Sequence, residues 1–228
     1  MRPTRSDLQD IAFLADASSA SKERILRNSL LQSLPAQVTL LEQGGEAHFL
    51  YVVRSGRVAA TSRSGERSSI VLMAGPGTVF PASAVVAEAP MLTSAHTIQD
   101  SRLLMIPASL MRELIEDDAK LAKGLLVVLA GAARRMVRML HQHKTATTAE
   151  RLAAWILEQI ESNEDQAALQ LPFPKQYLAS YLGTSPENMS RAIANLRYVG
   201  TTISGRKVVV SDVHALASLA SGCDVLLN

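Results

Sequence analysis

The chain has 228 residues, of which 47% are hydrophobic and 19% charged, so it can bury a sizeable core and does not have a disordered composition. Its formal net charge is only +2 and aromatic residues make up 4%, so any basic surface must be local and nucleic-acid binding by base stacking is disfavoured. The single cysteine, Cys223, excludes a disulfide framework within one chain and cysteine-ligated iron–sulfur or zinc sites.

The N-terminal segment lacks the apolar core of a signal peptide, and residues 6–33 have a helical composition. The longest apolar run, residues 124–133, is shorter than the roughly 18 residues that a membrane span needs. We therefore expect a cytoplasmic protein without a membrane partner.

Short strands are predicted over the next part of the chain. Half of the 12 glycines lie between residues 44 and 77, and β-branched or aromatic runs separate them. Strands punctuated at this spacing are typical of an antiparallel sandwich or barrel. The predicted strands cover residues 49–53, 57–61, 69–73, 93–98 and 102–106.

A short helix is predicted after Pro107, followed by a long helix from about Asp118 to Lys144. At 1.5 Å per residue the long helix spans about 40 Å, more than a domain of this size needs internally. Its length favours a subunit interface in a homodimer over an ordinary core helix, although both remain open. Two apolar rows follow the helical period. The row predicted to form the interface is Leu121, Leu125, Val128, Ala132, Met136 and Met139, beside a second row of Ala122, Leu126, Leu129, Ala133, Val137 and Leu140.

The residues after the long helix predict a helix-turn-helix. Thr147 with Glu150 fits a capping box for the first helix of this region. Further on, Gly183 can end a helix in the left-handed conformation, and Ser185 with Pro186 can begin the next one. Two helices joined by a tight glycine-containing turn form this motif.

The second helix of the motif carries candidate base-reading residues. Glu187, Ser190 and Arg191 share one face in its first turns, the part of a recognition helix that enters the major groove. A carboxylate there can accept from cytosine N4, and an arginine can bind guanine O6 and N7 together. A surface ion pair between Glu187 and Arg191 is the structural alternative.

A predicted hairpin follows, with Gly205 and Arg206 at its tip, and is typical of a wing beside a recognition helix. Residues 175–207 contain five cations and one acid, Glu187, which gives this segment a local charge of about +4. The predicted phosphate contacts are Lys175, Ser185, Arg197, Arg206 and Lys207.

These motifs resemble the cyclic-AMP receptor protein/FNR (Crp/Fnr) family of bacterial transcription regulators. The resemblance runs from FLYVVRSGRV and GPGTVF to YLGTSPENMSRAIANLRYVG and ISGRKVVVSD. It implies an α+β fold with a β-roll (double-stranded β-helix) sensor of the cyclic-nucleotide-binding kind at 1–117, a dimerisation helix at 118–145 and a winged helix-turn-helix at 146–228. It also implies a homodimer that binds double-stranded DNA and RNA polymerase. The pattern Glu187, Ser190, Arg191 resembles that of FNR-type readers of TTGAT-like half-sites.

The resemblance also bears on the effector. Cyclic-AMP binders of the family carry a Gly-Glu pair followed by Arg-Ser, where this chain has Phe80-Pro81-Ala82-Ser83 and Met91-Leu92-Thr93-Ser94. Without the phosphate-binding arginine, burying a cyclic phosphate would be costly, so cyclic AMP is not expected. An FNR-type iron–sulfur centre needs an N-terminal cysteine cluster, which this chain lacks.

Other effectors stay open. The sequence is similar to branches of the family that respond to nitrogen oxides or low oxygen, some of which use haem to sense nitric oxide. His48 and His96 are the candidate haem ligands, with His141 and His143 as further histidines. A regulator controlled only by its abundance is the alternative.

The sequence also bears on two other classes of protein, enzymes and ligand-binding proteins. The sequence contains no nucleophile elbow, no phosphate-cradling GxxxxGK[ST] and no HExxH, so an enzyme is not expected. A ligand-binding protein whose winged helix contacts protein would lack the steep salt dependence of duplex binding that the local charge predicts.

Overall fold

A computed structural model describes residues 1–160 and 165–223 and has an α+β architecture. The chain forms two compact units, Met1–Ala133 and Arg134–Asn228. The strands are β1 (Leu30–Leu34), β2 (Thr39–Leu41), β3 (Phe49–Ser55), β4 (Val58–Ser64), β5 (Arg67–Ala74), β6 (Val79–Phe80), β7 (Ser94–Thr97), β8 (Ser101–Pro107), β9 (Ala167–Gln170), β10 (Thr201–Ser204) and β11 (Lys207–Val210). The helices are α1 (Ser19–Asn28), α2 (Ala82–Ala87), α3 (Ala108–Asp117), α4 (Ala119–Thr145), α5 (Thr148–Glu158), α6 (Lys175–Tyr181), α7 (Pro186–Leu196) and α8 (Val213–Ala220).

The first unit is built on two four-stranded antiparallel sheets, ordered β1-β8-β3-β6 and β2-β7-β4-β5. Strand β3 is buried on both faces, which explains its continuous apolar sequence. Leu50 and Val52 face one apolar cluster, which also contains helix residues, while Tyr51 and Val53 face the other. The predicted strands of this region are confirmed, and together the sheets make the expected β-roll.

The N-terminal prediction is wrong in part, because residues 6–33 are not one helical stretch. Two short 3₁₀ turns precede α1, and residues 30–34 form β1, which pairs antiparallel with β8. Leu31 is buried in the core at this position. Sheet pairing with a distant strand therefore overrides the local helical composition.

Helix α4 begins at a buried carboxylate. Asp118 accepts hydrogen bonds from the backbone N–H of Ser18 at 2.8 Å and of Leu121 at 3.1 Å, and from the Ser21 hydroxyl at 2.7 Å. These donors hold the pKa of Asp118 well below its ordinary value. The carboxylate thus caps α4 and ties the segment before α1 to it.

The N-terminal half of α4 belongs to the core of the first unit, which corrects part of the predicted dimer row. Leu121 and Leu125 are 0% and 2% exposed within a single chain, so they are unavailable to a partner. Gly124 lets the backbone of Phe13 approach, since a Cβ there would lie 2.5 Å from the Phe13 carbonyl oxygen. Of the other predicted interface residues, Val128 packs against the same core, Ala132 and Met139 are half-buried, and Met136 is exposed.

The exposed apolar side chains of α4 lie mainly on its second row. Leu126 is 64% exposed, and Ala133 is also exposed. Over the N-terminal half of the helix, Leu121 and Leu125 of the predicted interface row therefore face the core, whereas Leu126 of the second row faces solvent. The large apolar side chains that α4 exposes are Leu126, Val127, Met136, Val137 and Leu140.

The second unit packs α5, α6, α7 and α8 with a three-stranded antiparallel sheet ordered β10-β11-β9. The predicted capping box is confirmed, since Thr147 accepts from the backbone N–H of Glu150 and the Glu150 carboxylate accepts from the backbone N–H of Thr147. Trp155 on α5 packs against Phe173 with their ring centroids 5.8 Å apart. This core supports the helix-turn-helix.

Candidate nucleic-acid interface

The turn between α6 and α7 has the geometry that the sequence predicts. Gly183 adopts φ +61°, and the backbone N–H of Thr184 donates to the carbonyl of Ala179 at 3.0 Å. The Ser185 hydroxyl accepts from the backbone N–H of Asn188 at 3.2 Å, and Pro186 occupies the first turn of α7. Glycine, cap and proline thus fix the angle at which α7 leaves the turn.

The end of α4 and the start of α5 pack against this turn. The His143 ring lies so close to Gly183 that a Cβ there would be 2.3 Å from the imidazole Cε1. The hydroxyls of Thr148 and Thr184 form a hydrogen bond at 3.1 Å. Partial desolvation and the nearby Arg151 guanidinium lower the pKa of His143.

The shared core of the motif orients α7. Leu178, Leu182 and Leu196 are buried, and Met189 and Ala192 are buried on the inward face of α7. Ile193 is half-buried at the edge of this face. The opposite face of the helix is therefore directed to solvent.

All three predicted base-reading residues are exposed on α7, and they differ in what they contact. The Ser185 hydroxyl bonds to the Glu187 carboxylate, and this bond, with a smaller effect of Arg191, lowers the pKa of Glu187. Ser190 donates its hydroxyl to the carbonyl of Pro186 at 2.9 Å. Arg191 has neither a hydrogen bond nor an ion pair with another residue of the described segments, so its guanidinium is free to bind a ligand.

The alternative of a surface ion pair between Glu187 and Arg191 does not hold in this structure. Both residues lie in the described segment 165–223, and no salt bridge in that segment joins them. Their interaction is limited to the long-range effect of the Arg191 charge on the Glu187 carboxylate. The exposed face of α7 therefore carries a carboxylate and a guanidinium that do not bind each other.

The wing is a two-residue hairpin between β10 and β11, as predicted, with Gly205 at φ +57°. Arg206 is exposed, but its Nε donates to the carbonyl of Leu171 at 2.8 Å, and its own carbonyl accepts from the Leu171 N–H at 2.7 Å. This pair of bonds fixes the wing tip to the residue after β9. Lys207 is exposed and has no such anchor within the described residues.

The remaining predicted phosphate contacts lie at element ends. Lys175 is half-buried at the first residue of α6, and Arg197 is exposed directly after α7. Ser185 uses its hydroxyl as the cap of α7 and as the donor to Glu187. Two further exposed side chains that sequence reasoning missed are Asn188 and Tyr198. The exposed face of an amphipathic helix gives no periodic signal that separates such residues from ordinary surface.

The interior of the β-roll is filled by its own side chains. Phe80 is 5% exposed and stacks on Tyr51 with their ring centroids 5.3 Å apart. Met91 is buried in the same apolar cluster. Ser94 accepts from the backbone N–H of Gln43 at 3.0 Å and donates to the Glu42 carboxylate at 3.2 Å. A cleft of about 690 Å³ beside these residues has mainly polar lining, which includes Thr61, Arg63 and Ser68.

Comparison with known proteins matches both units to described families. A cyclic nucleotide-binding domain model matches residues 31–118, and a Crp-like helix-turn-helix domain model matches residues 150–219. Together they cover more than half of the chain. The chain belongs to the Crp/Fnr family. This family consists of transcription regulators rather than enzymes, and its helix-turn-helix implies DNA binding.

Relatives of the Crp/Fnr protein extend over nearly its whole length. A "probable transcriptional activator" of Rhizobium leguminosarum bv. viciae is 24% identical over 216 residues, which cover 90% of this chain and 87% of that protein. FixK2 from Bradyrhizobium japonicum has a similar fold, with a TM-score of 0.73 at 24% identity over 84% of this chain and 96% of that one. A CooA mutant from Carboxydothermus hydrogenoformans gives a TM-score of 0.74 at 15% identity, covering 96% of this chain and 98% of that one. Over the described segments, the Crp/Fnr chain has no helix that combines the length and apolarity of a membrane span.

The two candidate haem ligands of this Crp/Fnr protein, His48 and His96, do not fit a haem site. His48 is exposed, and His96 is half-buried, with its pKa lowered by burial. Neither histidine lines the polar cleft, and the apolar interior of the roll is occupied by Tyr51, Phe80 and their neighbours. A haem needs an axial ligand that points into an apolar slot. We derive no step through haem.

Proposed function

We propose that this Crp/Fnr regulator is a homodimer that reads an inverted repeat of TTGAT-like half-sites through α7 and that it does so without cyclic AMP. The observation that carries the proposal is the outward face of α7, where Glu187 and Arg191 are exposed and form no ion pair with each other, beside a wing with a cationic tip. Each subunit places its α7 in one of two successive major grooves, about 34–36 Å apart.

The two charged residues divide the reading of bases between them. The free Arg191 guanidinium donates to O6 and N7 of a guanine, which is the commonest specific contact in the major groove. The Ser185 hydroxyl lowers the pKa of Glu187, and the Glu187 carboxylate accepts from a cytosine N4 amino group. Ser190 must first release the Pro186 carbonyl before it can donate to a base.

The phosphate contacts position α7 over the bases. Lys207 and Arg197 are exposed cations that can bind phosphate oxygens directly. Arg206 keeps one nitrogen on Leu171 and can present the rest of its guanidinium to the backbone. Lys175 completes this set at the first residue of α6, and Ser185 can join it only by releasing the Glu187 carboxylate.

The homodimer forms through the exposed second row of α4. Leu126, Ala133, Val137 and Leu140 follow one another at steps of seven, four and three residues, which keeps them on one side of the helix. A row of this kind is costly to leave in water and is typical of a helix that pairs with its symmetry mate.

Cyclic AMP is not the effector in this proposal. Ala82 is buried at one of the positions where cyclic-AMP binders have polar residues, and the apolar Phe80 fills the adjacent space. A second candidate, a regulator that needs no small molecule and acts by its abundance, is favoured by the same filled interior. RNA polymerase is the protein partner we propose for either form.

Fluorescence anisotropy tests the proposal. The purified protein would be titrated onto a TTGAT…ATCAA duplex and onto a scrambled duplex at several salt concentrations, with and without cyclic AMP. We expect tighter binding to the first duplex, a steep salt dependence on both, and no effect of cyclic AMP. Equal affinity for the two duplexes would contradict the half-site, and absence of binding to either would contradict DNA binding itself.

A further inference from the structure

Tyr198 is the most unusual side chain of the second unit. It is 91% exposed, more than any other large hydrophobic side chain described in this structure. Its hydroxyl has no hydrogen-bond partner among residues 1–160 and 165–223. A tyrosine left in water in this way contributes nothing to the core, and amphipathic rings of this kind are enriched where a protein meets a partner.

The position of Tyr198 relates it to the reading face of α7. It follows Arg191 by seven residues, close to two helical turns, and lies in the 3₁₀ turn (Arg197–Val199) that continues α7. Met189 and Leu196 mark the buried side of the helix, so Tyr198 lies near the middle of the opposite side. Ala194 lies between Arg191 and Tyr198 on the exposed face. Its side chain is small, so a partner can approach the helix there.

Distance then decides which part of a duplex Tyr198 can meet. Seven residues at 1.5 Å each place it about 10 Å from Arg191 along the helix axis. The N-terminal residues of a recognition helix contact the base edges. A residue about 10 Å further toward the C-terminus is therefore displaced from those bases and is placed to meet the edge of the groove, which is about 12 Å wide. The edge of the groove consists of deoxyribose and phosphate.

Charge favours nucleic acid over protein as the occupant of this face. The flanking Arg197 is an exposed cation, as are Arg191 and Lys207 in the same unit. The only acid between residues 175 and 207 is Glu187, which lies three turns away. The face that contains Tyr198 is also continuous with the one assigned to base reading.

We infer that Tyr198 is a DNA-backbone contact, in which the phenol hydroxyl donates to a phosphate and the ring covers the adjacent deoxyribose. This inference rests on the proposed function of α7. Because every nucleotide offers a phosphate and a sugar, the contact adds affinity without sequence preference. Tyr198 thereby contributes a DNA-backbone contact at the C-terminal end of α7, just as the wing contributes such contacts beside the helix.

Variants of Tyr198 separate this contact from base reading. Tyr198→Phe removes only the hydroxyl and should weaken binding about threefold, and Tyr198→Ala should weaken it about tenfold, with equal loss on specific and scrambled duplexes. His214→Ala, an exposed change on α8, is the matched control and should bind like the wild type. Wild-type affinity in Tyr198→Ala, or a loss confined to the specific duplex, would overturn the inference.

Chemical protection tests the same contact without a mutation. A tyrosine-selective label, read by mass spectrometry, should modify Tyr198 in the free protein and spare it in the complex. The half-buried Tyr181 serves as an internal reference. Full labelling of Tyr198 in the complex would contradict the contact and favour a protein partner there. The wild type is measured first, so that absence of any duplex binding counts against the proposed function rather than against Tyr198.

Discussion

The β-roll and the winged helix use their polar side chains in opposite ways. In the roll, Ser94, Glu42 and Gln43 bond to one another or to backbone, and apolar rings fill the interior. In the winged helix, Arg191 and Lys207 project into solvent without partners in the described segments. Groups that satisfy each other stabilise a fold, whereas groups left free can bind a ligand. The contrast supports the assignment of DNA recognition to the second unit.

Helix α4 contains the same contrast within one element. Its N-terminal residues Leu121 and Leu125 belong to a packed core, while Leu126 beside them is exposed. Residues adjacent in sequence thus lie in different environments, and paired substitutions can measure the contribution of each environment separately.

The largest expected effect comes from the pair Leu125→Ala and Leu126→Ala. The first removes a fully buried side chain and should lower the free energy of unfolding by about 2–5 kcal/mol. The second removes an exposed side chain, so the unfolding of the monomer should hardly change while the dimer dissociates more readily. Chemical denaturation and sedimentation velocity measure the two quantities. Similar loss of stability in both variants would mean that the two rows of α4 do not differ.

The next effect concerns the turn of the helix-turn-helix. Gly183→Ala places a Cβ against the His143 ring at a residue with φ +61°, and should lower stability by about 1–3 kcal/mol. Thermal unfolding of the single variants and of the double variant with His143→Ala measures how much of the loss is due to the clash. We expect partial rescue in the double variant. Strictly additive losses would show that the ring does not limit this position.

Arg191→Ala tests the reading face directly. It should weaken binding to the specific duplex by about 1–3 kcal/mol and leave the scrambled duplex almost unchanged, because the guanidinium contacts a base. Titration of both duplexes by anisotropy gives the difference. An equal loss on the two duplexes would place Arg191 on the phosphates instead.

Smaller changes are expected in the wing. Lys207→Ala should weaken both duplexes alike and reduce the slope of log affinity against log salt by about 1, since one phosphate contact is lost. Arg206→Ala should do the same and also lower stability, because Arg206 bonds to the Leu171 carbonyl. If the salt dependence of duplex binding is unchanged in both variants, the wing does not contact the DNA phosphates.

The last expected effect appears in acid and concerns the titration of Asp118. Its pKa is lowered by folding, so the stability that it contributes is present above its unfolded pKa of about 4 and is lost as the pH falls below that value. Asp118→Asn should therefore flatten the decline of unfolding free energy in acid. Denaturation curves between about pH 2 and pH 5 check this, and parallel declines would exclude the carboxylate as the cause.

Local signals in the sequence were enough for much of the second unit. The capping box at Thr147 and the turn at Gly183 and Ser185 were predicted correctly, because each depends on residues a few positions apart. The strand at residues 30–34 was missed, because its partner β8 lies about 70 residues away and no local pattern encodes that pairing.

Partners and neighbours limit what a pattern can predict. Periodicity found both apolar rows of α4 but did not tell which one faces the core, since that depends on Phe13 packing at Gly124. The helical spacing predicted that Glu187, Ser190 and Arg191 share an exposed face of α7. It did not predict the hydrogen bond from the Ser190 hydroxyl to the Pro186 carbonyl, or the exposure of Tyr198. These features need three-dimensional context.

Selection of binding sites from a random duplex library tests the central claim most directly. The wild-type protein would be used without added effector, and Arg191→Ala would be selected in parallel. We predict enrichment of an inverted repeat with TTGAT-like half-sites by the wild type, and loss of preference at the guanine position in the variant. Enrichment of a different half-site, or the same preference in both proteins, would contradict base reading by the outward face of α7.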